Sequence, residues 1–256
     1  MRRSCVALLL LAAGCPGAHT DRPYPAPTAA ELVARIVKAR DQLTSFRADS
    51  TMDYWVGSQR VKGEVLVMGK VGAKVRFAAL SPAGGSTVVE MACDGGNFVL
   101  VDNQNNCALT GPCDAHSIAQ FFHIDLTPDD FLHLALGTPP TPDNPTGTVT
   151  WDAAHGYEKV ALTGGDTTEQ ITIDARDKRL DVIDTELDAD GKPVWTVANT
   201  DFKAVGAFRL PGKTRFQSPG DKQDLVVEWS GQRDVNLALP DNLFVLAAPP
   251  GLPICQ

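Results

Sequence analysis

Residues 44–56 read Thr-Ser-Phe-Arg-Ala-Asp-Ser-Thr-Met-Asp-Tyr-Trp-Val, and their side chains alternate between apolar and polar types. The apolar positions are Phe46, Ala48, Met52, Tyr54 and Val56, and the polar positions are Arg47, Asp49, Thr51 and Asp53. Alternate residues of a strand point to opposite faces of a sheet, so this period of two is typical of a half-buried strand. The stretch therefore predicts a strand with one face in a core and the other in water.

Further short strands are predicted on both sides of the middle of the chain. In the first half, alternation or apolar runs cover 61–67, 75–79, 86–93, 98–102 and 107–109, and the joins at 94–97 and 103–106 have the Gly and Asn of tight turns. In the second half they cover 147–152, 156–163, 168–175, 179–188, 193–203, 207–217, 223–236 and 243–247. This spacing predicts a large antiparallel sheet, sandwich or barrel.

Helices are predicted at two main places. Thr28 and Glu31 have the spacing of a capping box, and the apolar side chains from Leu32 to Leu43 recur at helical intervals. In mid-chain, Thr127 and Pro128 open a helix that Gly137 closes, after a shorter one capped by Asp114.

Composition limits the class of protein. The chain has 256 residues, of which 43% are hydrophobic and 21% charged, so it can bury a large core. Its net charge of −8 argues against a nucleic-acid partner, which needs a basic surface. The Pro-rich stretch 139–145 could separate two domains, but we expect a single domain over 28–256, since a lone meander would leave one apolar face bare.

The N-terminus has the layout of a secretory signal: Arg2 and Arg3 precede an apolar run that ends in small residues. Residues 8–15, Leu-Leu-Leu-Leu-Ala-Ala-Gly-Cys, resemble the lipobox of bacterial lipoproteins, in which the cysteine is diacylated and the chain is cut before it. We therefore predict a signal peptide at 1–14 and a lipid on Cys15. The alternative is an ordinary signal peptide, cut nearby, with Cys15 discarded.

Residues 15–27 contain four prolines and no apolar periodicity, which predicts a semi-extended tether. Pro16 is not the Asp that retains lipoproteins in the inner membrane of enteric bacteria, so the periplasmic face of the outer membrane is the expected location. After residue 15, no apolar run approaches the length needed to cross a bilayer.

Four cysteines remain if Cys15 is lipidated, an even number suited to two disulfides in an oxidising compartment. The candidates are Cys93, Cys107, Cys113 and Cys255. Three pairings are possible. Gly111 and Pro112 indicate a turn between Cys107 and Cys113, which favours that pair together with Cys93–Cys255.

The sequence contains no fitting motif for catalysis or metal binding. Gly84-Gly85-Ser86-Thr87-Val88 lacks the second glycine of a nucleophile elbow. Residues 186–197 open like a calcium loop but end in Val197, so Asp190–Gly191 indicates a hairpin turn. Cys113, His116, His123 and His133 match no zinc spacing. We predict no enzyme activity, no cofactor and no metal; only carboxylates brought together from distant strands would support a hydrolase.

The order helix, meander, mid-chain helices, meander on an exported chain resembles the lipoprotein-localisation family, LolA and LolB, and LolA-like lipoproteins. Three segments carry the resemblance: Ala29 to Met68, Ile118 to Pro140 with the sequence Ile-Ala-Gln-Phe-Phe-His-Ile-Asp-Leu-Thr-Pro-Asp-Asp-Phe at its start, and Leu243 to Gly251 with its Pro-Pro-Gly end. They are similar to the family's opening helix and first strands, its lid helices and its closing strand.

The resemblance implies a mainly β fold of the α+β kind: a curved, unclosed antiparallel β-barrel with an N-terminal helix and a mid-chain helical lid. It also implies that the concave face holds acyl chains. The positions expected to line this cavity or its lid are Met52, Tyr54, Val65, Val67, Val75, Phe77, Phe121, Phe122, Phe131 and Leu134. The alternative is that these side chains are ordinary packed core.

The function that this implies is binding of lipid or lipoprotein acyl chains in lipoprotein or lipid trafficking. The expected partners are those acyl chains, the membrane through Cys15, and a lipoprotein carrier protein. A lipid anchor of its own makes the chain more similar to the membrane-bound receptor LolB than to the soluble carrier LolA. The sequence nevertheless shows no exposed-Leu loop like the acyl-transfer loop of the receptor. A non-catalytic interaction or envelope-sensor module of the same fold is the alternative.

Overall fold

The computed structural model describes residues 20–56, 58–81, 85–117, 126–142, 144–165, 167–174, 182–187, 190–218, 220, 222–229 and 231–255. Cys15, Phe121 and Phe122 lie outside these residues. So does most of the helix predicted from Asp114, whose carboxylate accepts a hydrogen bond from the Ser117 N–H at 3.0 Å, as a cap does.

Helix α1 spans Ala29–Asp41, as the capping box predicts. The Glu31 N–H donates to the Thr28 hydroxyl at 3.2 Å, and the Thr28 N–H donates to the Glu31 carboxylate at 2.8 Å. These two bonds satisfy backbone donors that the first turn leaves unpaired. Leu32 and Ile36 are buried in a cluster with four side chains of the sheet, Val160, Leu162, Ile171 and Ile173.

Sixteen strands are formed by the described residues. They are β1 Ser45–Val56, β2 Gln59–Lys70, β3 Lys74–Leu80, β4 Thr87–Asp94, β5 Asn97–Asp102, β6 Cys107–Pro112, β7 Thr146–Asp152, β8 Tyr157–Gly164, β9 Thr167–Ile173, β10 Val182–Leu187, β11 Pro193–Thr200, β12 Lys203–Val205, β13 Phe208–Leu210, β14 Lys213–Ser218, β15 Gln223–Glu228 and β16 Arg233–Val235.

Fourteen of these strands form one sheet in the order β6-β5-β4-β3-β2-β1-β15-β14-β11-β10-β9-β8-β7, with β16 pairing β1 beside β15. Neighbouring strands are antiparallel. Strands β12 and β13 form a separate hairpin. Within the described chain β6 and β7 stand at opposite ends of the order without pairing, so the sheet is open. The predicted mainly β, unclosed architecture with helices is confirmed.

Several predicted strands have different bounds in the structure. The predicted strands 193–203, 207–217 and 223–236 are each divided, and the breaks at 201–202, 211–212 and 229–232 let the chain turn. The predicted closing strand at 243–247 is wrong. Asp241–Phe244 forms a 3₁₀ turn instead, which follows Pro240, and Phe244 is fully buried without joining the sheet.

The C-terminal strap, residues 237–255, crosses the convex face of the sheet. Both Lys70 and Lys74 form ion pairs with the Asp241 carboxylate, at 2.8 and 2.7 Å. By strand alternation these lysines lie on the face of the sheet opposite to that of Val65 and Val75. Farther along, the Ala108 N–H donates to the Pro253 carbonyl at 2.9 Å, and the Cys255 N–H donates to the Ala108 carbonyl at 3.2 Å. The strap therefore covers part of the outer edge of β6.

The disulfides join Cys93 to Cys113 and Cys107 to Cys255, with Cα–Cα distances of 5.5 and 5.0 Å. All four predicted cysteines are bonded, but the favoured pairing was wrong. Gly111 and Pro112 lie in β6 and not in a turn. Cys107 and Cys113 are therefore at opposite ends of a strand, about 20 Å apart at roughly 3.3 Å per residue, well beyond the reach of a disulfide.

Peptide mapping without reductant is expected to recover these two linked pairs. In the chain-entropy account, a cross-link over 148 residues stabilises by about 5 kcal/mol and one over 20 residues by about 3 kcal/mol. The double variant Cys107→Ser/Cys255→Ser should therefore lose more free energy of unfolding than Cys93→Ser/Cys113→Ser, measured by denaturant titration. A peptide linking Cys107 to Cys113 would contradict the structure.

Candidate functional site

An apolar cavity lies between the concave face of the sheet and helix α2, Pro128–Ala135. Strands β1, β2, β3, β14 and β15 form its floor. Its lining residues are Phe46, Ser50, Met52, Val65, Val67, Val75, Phe77, Phe131, Leu132, Ala135, Phe216, Leu225, Val227 and Trp229. The wall that these described residues present to the cavity is entirely apolar.

Strand alternation explains why the wall is apolar. Val67 of β2 lies opposite Ala48 of β1 and Phe77 of β3, so inward positions of neighbouring strands stack on one face. Ser50 is the one polar residue type among them, and its hydroxyl donates to the Val65 carbonyl at 3.1 Å. Because this bond satisfies the hydroxyl, the cavity offers water no partner, and dry apolar cavities accept apolar guests.

The cavity is small as it stands. It leaves about 40 Å³ for the centres of water-sized molecules, within an envelope of about 510 Å³ that includes its open side. Roughly 10–15 Å³ of such space holds one water, so the 40 Å³ corresponds to a few water-sized molecules. The cavity thus has room for a few methylene groups, and a long acyl chain needs α2 or the wall side chains to move.

Polar side chains of the concave face hold the C-terminal end of α2. The Asn199 amide donates to the Leu134 carbonyl at 2.8 Å. The Thr214 hydroxyl lies 3.1 Å from the Ala135 carbonyl and 2.7 Å from Asn199 Oδ1, and it accepts from Trp229 Nε1 at 2.9 Å. Asn199 and Thr214 are fully buried, so this network satisfies carbonyls that a helix end leaves unpaired.

The N-terminal end of α2 is held by half-exposed contacts. The Asp129 carboxylate accepts from the backbone N–H groups of Gly72 and Ala73 in the β2–β3 turn, at 3.1 and 2.9 Å. Asp130 forms an ion pair with Arg40 of α1. Exposed pairs of this kind contribute about 0–1 kcal/mol each, so this end is held more weakly than the buried one.

The helix approaches the sheet closely because Gly69 has no side chain. A Cβ atom there would lie 2.5 Å from Leu132 of α2 and 2.6 Å from the Phe46 ring. The Phe131 ring stacks on Phe216 of β14, with centroids 5.1 Å apart. These contacts fix α2 over the floor of the cavity.

The structure brings together six of the side chains that the sequence named for the cavity: Met52, Val65, Val67, Val75, Phe77 and Phe131. Tyr54 is half-buried against the core, and its hydroxyl donates to Gln223 Oε1 at 2.6 Å. Leu134 is fully buried in the same core but does not line the cavity.

The other lining residues were not predicted for the cavity. Four of them belong to alternating runs that predict strands, namely Phe46, Leu225, Val227 and Trp229. Alternation shows that they are inward, but it does not show that β15 lies beside β1. That pairing joins residues about 170 positions apart, such as Met52 and Val227.

No metal site is formed by the residues that the structure describes, since no three His, Cys, Asp or Glu side chains meet there. Of the zinc candidates, Cys113 is in a disulfide, His123 lies outside the described residues, and His133 is buried in α2. Burial lowers the pKa of His133 to about 4, and the Arg40 charge acts in the same direction. Among the described helices, none is long and apolar enough to cross a bilayer.

Comparison with known proteins identifies the fold. No protein-family model matches the sequence, and no curated protein sequence matches it. Solved structures do match. A LolA superfamily protein from Nitrosomonas europaea covers 86% of this chain and 99% of its own, with 12% identity and a TM-score of 0.59.

Two further structures are similar over the same length. A DUF1329 family protein from Desulfovibrio piger covers 85% of this chain and 95% of its own, with 14% identity and a TM-score of 0.56. A putative outer membrane lipoprotein-sorting protein domain from Vibrio parahaemolyticus covers 84% and 97%, with 10% identity and a TM-score of 0.54. The chain has a LolA-like fold, as the sequence resemblance predicts.

The buried network behind α2 can be tested with Thr214→Val. This nearly isosteric change removes a hydroxyl that three groups contact and leaves Trp229 Nε1 without its acceptor, so unfolding should become easier by about 1–3 kcal/mol. Chemical denaturation measures the loss. Thr200→Val, at the exposed end of β11, is the matched control and should change stability little. Equal effects of the two variants would show that the network contributes nothing specific.

His133 makes stability depend on pH. The unfolded side chain takes up a proton near pH 6.5 and the folded one only near pH 4, so the native state loses stability as pH falls through this window. Between pH 7 and 4.5 the loss should be roughly 2–3 kcal/mol. In His133→Leu, the decrease in unfolding free energy between pH 7 and 4.5 should be smaller than in the parent chain by that amount. The matched control is His116→Gln, at an exposed position, which should keep the decrease of the parent chain. An unchanged drop in His133→Leu would refute this assignment.

Proposed function

We propose that this protein is a lipid-anchored envelope protein that binds lipid or lipoprotein acyl chains in the cavity beneath α2, at the periplasmic face of the outer membrane. The observation that carries the proposal is the apolar wall built jointly by α2 and five strands. Binding without catalysis is proposed as well, because the sequence motifs do not fit an enzyme, the described cavity wall supplies no acid or base, and its one hydroxyl, that of Ser50, donates to the Val65 carbonyl.

The energetics support an acyl guest. Each buried methylene group contributes about 0.8 kcal/mol, so even a short part of a hydrocarbon tail gains several kcal/mol in a dry apolar site. Since Ser50 is already bonded to Val65, a polar ligand would lose its water partners without replacing them. The wall therefore selects for hydrocarbon over polar small molecules.

The unequal anchoring of α2 supports a route of entry. Asn199 and Thr214 hold its C-terminal end by buried bonds, whereas Asp129 and Asp130 hold its N-terminal end by half-exposed ones. Lifting the N-terminal end breaks this weaker set of polar contacts and the stacking of Phe131 on Phe216, and it opens the cavity beside Phe131. The helix would then act as the lid that the sequence resemblance implies.

The anchor belongs to the same proposal. Residues 1–14 would be the signal peptide, Cys15 the lipid attachment site, 15–27 the tether, and 28–256 one LolA-like domain. The likeness to a putative outer membrane lipoprotein-sorting domain supports the envelope location and a role in lipoprotein or lipid trafficking, with a lipoprotein carrier protein as a further partner.

A second candidate is a non-catalytic interaction or envelope-sensor module of the same fold. One observation favours it: the space of about 40 Å³ is that of a nearly packed core. In that case the curved sheet would bind a protein, and the cavity would stay empty.

Native mass spectrometry of the purified chain separates the two candidates, because an acyl binder should retain a fatty-acyl species. In Val67→Phe the larger ring fills the cavity, and affinity for a fluorescent fatty acid should fall about tenfold or more, equivalent to roughly 1.4 kcal/mol. Val194→Phe, the same change at an exposed position of β11, should bind normally.

Circular dichroism must show that both variants fold, since overpacking a core costs about 1–3 kcal/mol. A folded parent chain that carries no acyl species and ignores the fatty-acid probe refutes the acyl-binding proposal and supports the interaction module.

A further inference from the structure

Residues 20–24, named here the N-terminal latch, are fixed to strands β7 and β8. The Thr20 N–H donates to the Ala153 carbonyl at 2.8 Å, and Trp151 Nε1 donates to the Thr20 carbonyl at 2.7 Å. The chain is therefore bound at the β7–β8 turn, residues 153–156, several residues before α1 begins.

A buried ion pair strengthens this attachment. Arg22 lies 2.9 Å from the carboxylate of Glu158, whose side chain is fully buried. The same guanidinium stands 5.4 Å from the centre of the Trp151 ring, and the Tyr24 ring meets Trp151 edge-on at 6.2 Å. Releasing Arg22 would leave a buried carboxylate without its cation, which is strongly unfavourable.

Tyr24 shows how closely the latch is packed around Glu158. Burial raises the pKa of Tyr24 to about 12, with the negative charge of Glu158 acting in the same direction. Residues 20–24 of the predicted tether 15–27 are thus packed on the domain and are not a free linker.

The position of the latch limits how far the body can stand from a lipid at Cys15. Five residue steps separate Cys15 from Thr20, which span at most about 17 Å when fully extended. If the chain were free up to Thr28, the limit would be about 45 Å. The latch therefore shortens the reach more than twofold.

We propose that the β7–β8 turn is the membrane-facing surface of this protein, with a lipid bilayer as its partner. This rests on the proposed lipid at Cys15. The charges at the turn are mutually compensated: Asp152 accepts from Lys159 at 2.7 Å and lies 3.1 Å from His155. The short tether, and not electrostatic attraction, therefore keeps this end at the headgroups.

The orientation bears on the cavity. Every neighbouring pair in the sheet is antiparallel, and β3 is eight steps from β8, so both strands begin at the same end of the sheet. The β2–β3 turn, which holds Asp129 of α2, is thus at the same end of the strands as the β7–β8 turn. The weakly held end of the lid therefore lies at the same end of the strands as the proposed membrane-facing turn.

Two insertions test the latch against a free tether. From Cys15 onward, Cys15 is the one cysteine outside the two disulfides, so the chain that starts there can be coupled through the Cys15 thiol to a maleimide lipid. The lipid is held in phosphatidylcholine vesicles whose headgroups carry a fluorescence energy acceptor. A donor fluorophore is attached through an unnatural residue that replaces either His155, in the β7–β8 turn, or Lys192, in the β10–β11 turn. Because β10 runs in the same direction as β8, the β10–β11 turn lies at the opposite end of the strands from the β7–β8 turn. The donor at 155 should transfer energy more efficiently than the donor at 192.

Twenty Gly/Ser residues inserted between His19 and Thr20 add a flexible segment with a typical end-to-end distance of roughly 25 Å. Transfer from position 155 should fall, because the donor can then stand farther from the acceptors at the headgroups. The same insertion between Pro25 and Ala26 lies behind the latch and should leave transfer unchanged. Equal losses for the two insertions, or equal transfer from the two donors, would overturn the proposal.

Failure of the latch and failure of the anchor are distinguishable. The intact mass of the chain extracted from bacterial membranes shows whether Cys15 carries a diacylglyceryl group. An unmodified Cys15 overturns the anchor and, with it, the bilayer as partner, whatever the vesicle result. A lipidated Cys15 with equal effects of the two insertions overturns the latch and leaves the acyl-binding function standing.

Discussion

The pairing of β1 with β15 is the constraint on which the rest of the structure depends. Residues 45–112 form one meander and residues 146–228 another, and β1 joins them because β2 occupies one of its edges and β15 with β16 the other. Met52 and Tyr54 lie opposite Val227 and Leu225 across this junction. The cavity floor takes side chains from both meanders. Without this pairing, each meander would carry only half of the apolar face, and no cavity would form.

The free-energy balance of the empty cavity explains how it can persist. At about 24 cal/mol per Å³, a void of 40 Å³ costs roughly 1 kcal/mol, a small part of a domain's stability. The bonds of Asn199 and Thr214 to α2 are enough to hold the helix over such a void. Under the proposed function, an acyl guest would remove this cost and add its own buried surface.

Features set by neighbouring residues could be predicted from the sequence. Thr28 with Glu31 and Thr127 with Pro128 mark the helix starts, because capping involves side chains three positions apart. Alternation likewise gives the inward faces of β1, β2 and β3, which is why six of the residues predicted for the cavity face the apolar space beneath α2. These interactions are local, and a window of a few residues contains all of their physics.

Features set by distant residues could not be predicted. Nothing near Phe216 or Trp229 reveals that their strands approach β1, and the Cys107–Cys255 bond depends on where the strap ends. The local chemistry of Gly111 and Pro112 predicts a turn, yet pairing with β5 keeps them extended. The apolar run at 243–247 likewise packs on the convex face by Phe244 and not by ladder bonds.

The bond between Cys107 and Cys255 also helps to protect the open sheet from pairing with strands of other copies of the chain. It keeps the last residues of the strap hydrogen-bonded to Ala108, so part of the outer edge of β6 is already occupied. Unoccupied edges invite strand-to-strand polymerisation. Since disulfides persist in oxidising compartments and are rare in the cytosol, a reduced copy of the chain would lack this shield. Protection of the β6 edge is thus coupled to the redox state of the surroundings.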